Sequence, residues 1–228
     1  MTQNTSPEPV VAIVVAAGSG VRLGGEVPKA LRVLAGRPLI RWSLDALAAG
    51  GVAEVVVVVA DGLQDTFADA LAEATVPFTI VVGGPTRQES VARGITALPP
   101  GQVVLVHDAA RPLVPADVVR HVVAAVRAGA PAAIPVVPVS DTVRRVAGAA
   151  SVVVDRSGLR AVQTPQGFAR EVLVTSHAAA AGRDYTDDAA VCEAAGYEVT
   201  LVPGSREALK ITEPYDLAVA EAIVRARG

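Results

Sequence analysis

Residues Ala16 to Ala30 read AAGSGVRLGGEVPKA, and two cations, Arg22 and Lys29, stand among the glycines directly after an apolar run. A glycine-rich backbone of this kind can wrap anionic oxygens with its N–H groups. Pro28 restrains the chain immediately before Lys29 and helps to aim it. Two familiar phosphate loops do not fit. A dinucleotide fingerprint has G-x-G-x-x-G, and here Gly18 and Gly20 are followed by Leu23 at the third glycine. The acid it also requires, about 20 residues on, is missing, because the next strand end near Asp61 lies roughly forty residues past Gly20. No Gly-Lys-Ser/Thr closes the loop as in a P-loop. A tight turn with surface charges would have a similar composition, so the loop alone leaves that reading open.

Lysine usage adds a second signal. Only two of the 20 basic residues are lysine, Lys29 and Lys210. A compact ammonium and a planar guanidinium are not interchangeable at a geometrically tight site, which makes both exceptions candidates. Further candidates follow other apolar runs. GGPTRQESV brings Gly83 and Gly84, which allow close backbone approach, with Arg87 and Ser90 beyond them. Its Thr86 and Glu89 have capping-box spacing, and capping alone would explain them. VHDAARP places Asp108 at a strand end, where a carboxylate can meet a metal and nucleotide phosphates, with Arg111 on the same loop. In YTDDAAV, Thr186 or Asp187 suits a helix N-cap.

These loops need elements to hold them. Val10 to Ala16, Glu54 to Ala60, Phe78 to Val82, Val103 to His107, Ala132 to Val137 and Tyr197 to Val202 are predicted strands. Their continuous Val-rich runs suit burial on both faces. Pro38 to Ala49, Leu63 to Ala74, Arg87 to Leu98, Ala116 to Ala128, Arg170 to Ala180, Asp187 to Ala195 and Pro214 to Arg227 are predicted helices. Pro38 and Pro214 suit the first turns, and Gly50, Gly129 and Gly196 the stops. The alternation predicts an α/β fold, a Rossmann-like, mostly parallel sheet covered on both sides. Ligands of such sheets bind at the carboxyl ends of the strands.

The segment from about 138 to 166 breaks the alternation. Val143 to Val146 and Val152 to Val154 are short β-like pieces and predict a projecting β-arm. Such an arm is marginal by itself and packs on a partner in a homodimer, or else stays a bare surface hairpin. The expected organisation is a disordered tail over 1–9 and a single domain over 10–228.

Bulk properties narrow the function. The chain has 228 residues, enough for one large α/β domain. A net charge of −3 argues against a general nucleic-acid binder, which needs a basic face. Cys192 is the one cysteine, so no intrachain disulfide forms, and three scattered histidines do not suggest zinc. With no signal peptide and no apolar run of membrane length, the expectation is a cytoplasmic protein off the membrane.

Taken in order, AAGSGVRLGGEVPKA, GGPTRQESV, VHDAARP, Ser140 to Thr142 (SDT), AVQTPQGF, YTDDA and LKIT resemble the 2-C-methyl-D-erythritol 4-phosphate cytidylyltransferase family. The resemblance extends over nearly the whole chain after the tail. It implies a nucleotidyltransferase fold and the conversion of CTP and methylerythritol phosphate to CDP-methylerythritol and pyrophosphate, in non-mevalonate isoprenoid synthesis. It implies that Arg22 and Lys29 stabilise charge on the α-phosphate, and that Asp108 holds Mg²⁺. The backbone of Ala16, Ala17, Gly18, Ser19 and Gly20, with Gly83, Gly84, Ser90 and Arg111, would bind CTP. Thr142 and Arg156 on the arm would reach the other subunit's site and hold the substrate phosphate. Thr186 and Lys210 would complete that pocket, Lys210 orienting the attacking phosphate. The chain departs from the family pattern at Leu159-Arg160 and at Ala208-Leu209-Lys210, so Asp108 alone is assigned to the metal. Two alternatives are a ribitol-5-phosphate cytidylyltransferase and a non-catalytic CTP-binding protein.

Overall fold

A computed structural model describes residues 8–18 and 27–227. Among the predicted site residues, Ser19, Gly20 and Arg22 lie outside that range, as do residues 1–7 of the expected tail.

The valine runs form the strands, and their side chains explain why the runs are continuous. In β1 (Val10–Val15), Val10, Ala12 and Val14 face one core cluster while Val11 and Ile13 face another. In β4 (Val52–Val59), Val55, Val57 and Val59 divide from Val56 and Val58 in the same way. Both faces of the sheet are therefore buried, as a two-sided α/β layer requires. On the first face lie α1 (Leu39–Ala49), through Ile40 and Leu44, and α4 (Ala116–Arg127), through Val119 and Val122. On the second lie α3 (Arg87–Thr96), through Val91, and α5 (Arg170–Ala179), through Leu173.

Parallel neighbours of β1 are β4 on one side and β6 (Val103–Asp108) on the other. β5 (Phe78–Val82) extends the sheet beyond β4, also parallel. The chain thus winds outward from β1 to β5, then returns across β1 to β6. The strand order reverses at β1, and a crevice opens at the carboxyl ends of β1 and β6. Beyond β6 the sheet continues through β11 (Gln166–Ala169) to β7 (Ala132–Pro138), and β12 (Val199–Pro203) pairs β7 in parallel at the outer edge.

The sequence reading located the six long strands but not β11 or β10 (Arg160–Val162). Both run antiparallel to β7, along the same edge of it. Four and three residues long, they carry no period to read. Gly167 is required in β11, since a Cβ there would fall 2.4 Å from Val122 Cγ1. A small hairpin of β2 (Val33–Leu34) and β3 (Arg37–Pro38) is also absent from the expected elements, and it places Pro38 at the N-cap of α1, not inside its first turn. The expected helix from Leu63 to Ala74 shortens to α2 (Gln64–Ala70). There the chain turns so that Leu71 and Val76 both reach the core, and burial overrides the helix propensity of the alanines beyond. Gly50 ends α1 with an ordinary φ of −83°, whereas the stops at Gly129 and Gly196 take φ of +105° and +90°.

The arm is present as β8 (Val143–Ala147) and β9 (Ala150–Val154), a two-stranded sheet separate from the main one. Gly148, with φ +61°, makes the two-residue turn possible. Val146, Val152 and Val153 remain 72%, 61% and 61% exposed, so the arm does not bury its own apolar surface. No helix among the described residues is long and apolar enough to cross a membrane. The remaining helices, α6 (Asp188–Ala194) and α7 (Pro214–Arg227), pack beside α5 and over β2 respectively.

Candidate active site

The crevice holds a cavity of about 200 Å³. Its wall brings together Ala16, Ala17 and Gly18 from the end of β1, Gly84 and Ser90 around the start of α3, and Lys29, Asp108 and Lys210. A second cavity of about 200 Å³ shares Asp108, Lys210 and Arg87 with it and adds Arg111 and Thr186. Thr142 and Arg156 line neither cavity and are exposed along the arm.

Each loop is shaped for close approach. A Cβ on Gly83 would sit 2.7 Å from Ser90 Oγ and 2.8 Å from Ala17 Cβ, so the two strand-end loops touch only because the residue is glycine. Ser90 Oγ accepts from the Gly84 N–H at 3.1 Å and donates to the Thr86 carbonyl at 2.9 Å. The capping expectation for Thr86 is met: its Oγ1 accepts from the Glu89 N–H at 3.1 Å. Lys29 opens a short 3₁₀ turn, Lys29–Leu31, after Pro28 with φ −52°. The Lys210 segment is pinned where Ile211 N–H donates to the Ala110 carbonyl at 2.8 Å. Just beyond, Asp216 Oδ2 accepts from Thr212 N–H, Thr212 Oγ1 and Glu213 N–H, at 2.7, 2.7 and 2.9 Å. Burial raises the Asp216 carboxyl, but these bonds and the charge of Lys29 outweigh it and hold it below the usual range.

Asp108 sits between two cations. Lys210 Nζ donates to Oδ2 at 2.7 Å and Arg87 Nε to Oδ1 at 3.3 Å. Burial pushes this carboxyl up, but Arg87, Lys210 and Arg111 hold it well below the usual carboxylate range. Arg111 itself donates to the carbonyls of Ala208 and Val162, at 2.7 and 3.3 Å, and so ties two loops together. Glu207 pairs with Arg227.

The segment from Gln163 to Gln166 carries the main structural signal that sequence reasoning missed. Three buried polar side chains there fasten three separate loops. Gln163 closes a two-bond ring with the backbone of Ser205, at 2.8 and 3.0 Å. Gln166 donates to Asp187 Oδ2 at 2.8 Å and accepts from Ala189 N–H at 3.1 Å. Thr164 Oγ1 accepts from the Asp108 N–H at 3.0 Å, which leaves its own hydrogen for His107 Nδ1, also at 3.0 Å. His107 then donates from Nε2 to the Arg111 carbonyl at 3.2 Å. Burial lowers its pKa to about 4, so it stays neutral and locks this tautomer at physiological pH. Two glutamines flanking Thr-Pro in an otherwise apolar stretch were the available clue, since buried amides need partners.

Among the described residues, Asp108 is the one carboxylate that lines the first cavity. Among the described residues no three His, Cys, Asp or Glu side chains form a ready metal cage. Asp108 offers a single carboxylate to the cavity, the donor set of a Mg²⁺ that also takes substrate phosphate oxygens.

A family model described as 2-C-methyl-D-erythritol 4-phosphate cytidylyltransferase matches residues 10–226. A protein of that description from Streptomyces coelicolor is 49% identical, over 97% of this chain and 87% of its own. One from Streptomyces avermitilis is 48% identical, over 100% of this chain and 98% of its own. The crystal structure of 2-C-methyl-D-erythritol 4-phosphate cytidylyltransferase from Thermus thermophilus superposes with a TM-score of 0.80 at 40% identity, covering 96% of this chain and 100% of that one.

Proposed function

The chain belongs to the 2-C-methyl-D-erythritol 4-phosphate cytidylyltransferase family, and from that premise we propose which of its residues carry the reaction. The protein is a nucleotidyltransferase of isoprenoid precursor synthesis that joins CTP to 2-C-methyl-D-erythritol 4-phosphate. An oxygen of the substrate phosphate attacks the α-phosphorus of CTP, and the bond to the β-phosphate breaks as pyrophosphate leaves. The substrate itself is the nucleophile, so the protein's task is to position two polyanions and neutralise their charge. The observation that carries the assignment is the convergence of Lys29, Asp108 and Lys210, from three separate loops, on one cavity at the strand-order reversal.

Lys29, with Arg22, takes up charge growing on the α-phosphate. Lys210 orients the attacking phosphate. The backbone of Ala16 to Gly20, with Gly83, Gly84 and Ser90, would bind CTP, and Arg111 lines the adjoining cavity. Asp108 would hold a Mg²⁺, which when bound would neutralise phosphate charge. Thr186 lies on the adjoining cavity wall, where the second substrate would sit. The enzyme works in the cytoplasm, in keeping with its single, buried cysteine.

The arm completes the site of a second subunit. Thr142 and Arg156 lie away from the cavities of their own chain, and the arm's exposed valines call for a covering surface. In a homodimer, Arg156 of the partner subunit would bind the methylerythritol phosphate. Arg156→Ala and Lys29→Ala dimers, each nearly inactive, should regain about a quarter of the wild-type rate when dissociated, mixed and reassociated. Half of the dimers are then mixed, and each mixed dimer holds one intact site out of two. Absence of any regained activity, with mixed dimers present by mass, would contradict a shared site.

A further inference from the structure

A chain of charged groups runs from the cavity wall into the interior. Arg87 is the first residue of α3, and its guanidinium reaches two carboxylates at once. Its Nε donates to Asp108 at 3.3 Å, and its Nη1 lies 2.8 Å from Asp188 Oδ2. The side chain of Asp188 is 1% exposed. Its other oxygen accepts from His177 Nε2 at 3.1 Å. Asp188 opens α6, but Asp187 is the residue that caps that helix, accepting from Ala190 N–H at 2.9 Å. Gln166 fastens Asp187 and the Ala189 N–H to β11, so Asp188 has little freedom to move. Burying a carboxylate is costly unless it is paired, and Asp188 makes its pairing with an arginine on the active-site wall.

We propose that Asp188 is a positioning residue for the reaction: it holds Arg87 so that the guanidinium fixes Asp108 and stays off the substrate phosphates. The inference rests on Asp108 acting as assigned above. Burial raises the Asp188 carboxyl, but Arg87 and His177 outweigh it and keep it ionised. Burial also works against the Arg87 charge, and Asp188 followed by Asp108 more than restores it. When a triphosphate enters, Lys210 can turn from Asp108 to the phosphates. Arg87 cannot do so without abandoning a buried anion. Asp108 therefore keeps one fixed neighbour throughout the reaction. Without Asp188, Arg87 would swing to the triphosphate, binding the ground state and releasing Asp108.

The test is a double-mutant cycle on the full enzyme, with kcat, KM for CTP and thermal denaturation measured for each variant. Asp188→Asn keeps the shape and removes the charge. It should lower kcat about tenfold or more, because small misplacements at a reacting centre are that costly, with KM for CTP unchanged or lower. Arg87→Gln should do the same, and the double variant should be no slower than Arg87→Gln alone. A melting temperature that falls while kcat holds would overturn the proposal, as would losses that multiply in the double variant. Should Asp188→Asn fail to fold, Arg87→Gln decides, because that side chain is 30% exposed and can be cut without opening the core. In an Asp108→Asn background it should cost nothing further, and a full additional loss would overturn the proposal. Full turnover of Asp108→Asn alone would instead remove the reading of Asp108 on which the inference stands.

Discussion

Lys29→Ala lowers kcat by about a hundredfold and leaves the melting temperature nearly unchanged. A single preorganised contact to charge that develops in the transition state is worth roughly 3 kcal/mol in a water-poor site. The site gives Lys29 that preorganisation. The residue opens a one-turn 3₁₀ helix after Pro28, and Asp216, itself held by three hydrogen bonds, adds a fixed negative charge nearby. The fold does not depend on it: the side chain is half-buried at the cavity rim, while Ala30 beside it supplies the core contact. Steady-state kinetics with thermal denaturation check this. Turnover within about threefold of wild type would be too small a loss for a contact of that kind, and Lys29 would not be stabilising the transition state.

Asp108→Asn separates binding from turnover. In the absence of Mg²⁺ the variant binds CTP at least as tightly as the wild type, because a negative charge leaves the cavity and frees Lys210 for the triphosphate. With Mg²⁺ present its kcat falls by about a hundredfold, since the carboxylate proposed to hold the metal beside the phosphates is gone. Calorimetric titration of CTP with and without Mg²⁺, beside turnover, measures both arms. Weaker metal-free binding together with full turnover would show that Asp108 serves only to pair with its cationic neighbours.

Much of this was legible in the sequence, for identifiable reasons. The runs at Val10, Glu54, Phe78, Val103 and Ala132 carry enough consecutive β-branched residues to declare buried parallel strands. Strand ends in such a sheet declare where a ligand goes. Lys29, Asp108 and Lys210 could therefore be placed at one edge before any coordinates. β10 and β11 could not, because their positions come from pairing against β7 and β6 rather than from their own seven residues. Asp188 was hidden for a similar reason. In YTDDA the first aspartate accounts for the helix cap, and the second acquires meaning only when α3 brings Arg87 beside it. The clue was present all the same: a second acid at a buried helix start needs a partner. The glutamines at 163 and 166 likewise read as polar loop residues until the fold shows three loops hanging from them.

The acceptor that the cavity serves separates the two cytidylyltransferase readings. Pyrophosphate release from CTP, measured with the intact enzyme and Mg²⁺ in parallel reactions containing 2-C-methyl-D-erythritol 4-phosphate or ribitol 5-phosphate, tests it directly. Turnover with methylerythritol phosphate and formation of CDP-methylerythritol are the expected result. Turnover with ribitol phosphate alone, or CTP binding with neither acceptor consumed, would contradict it.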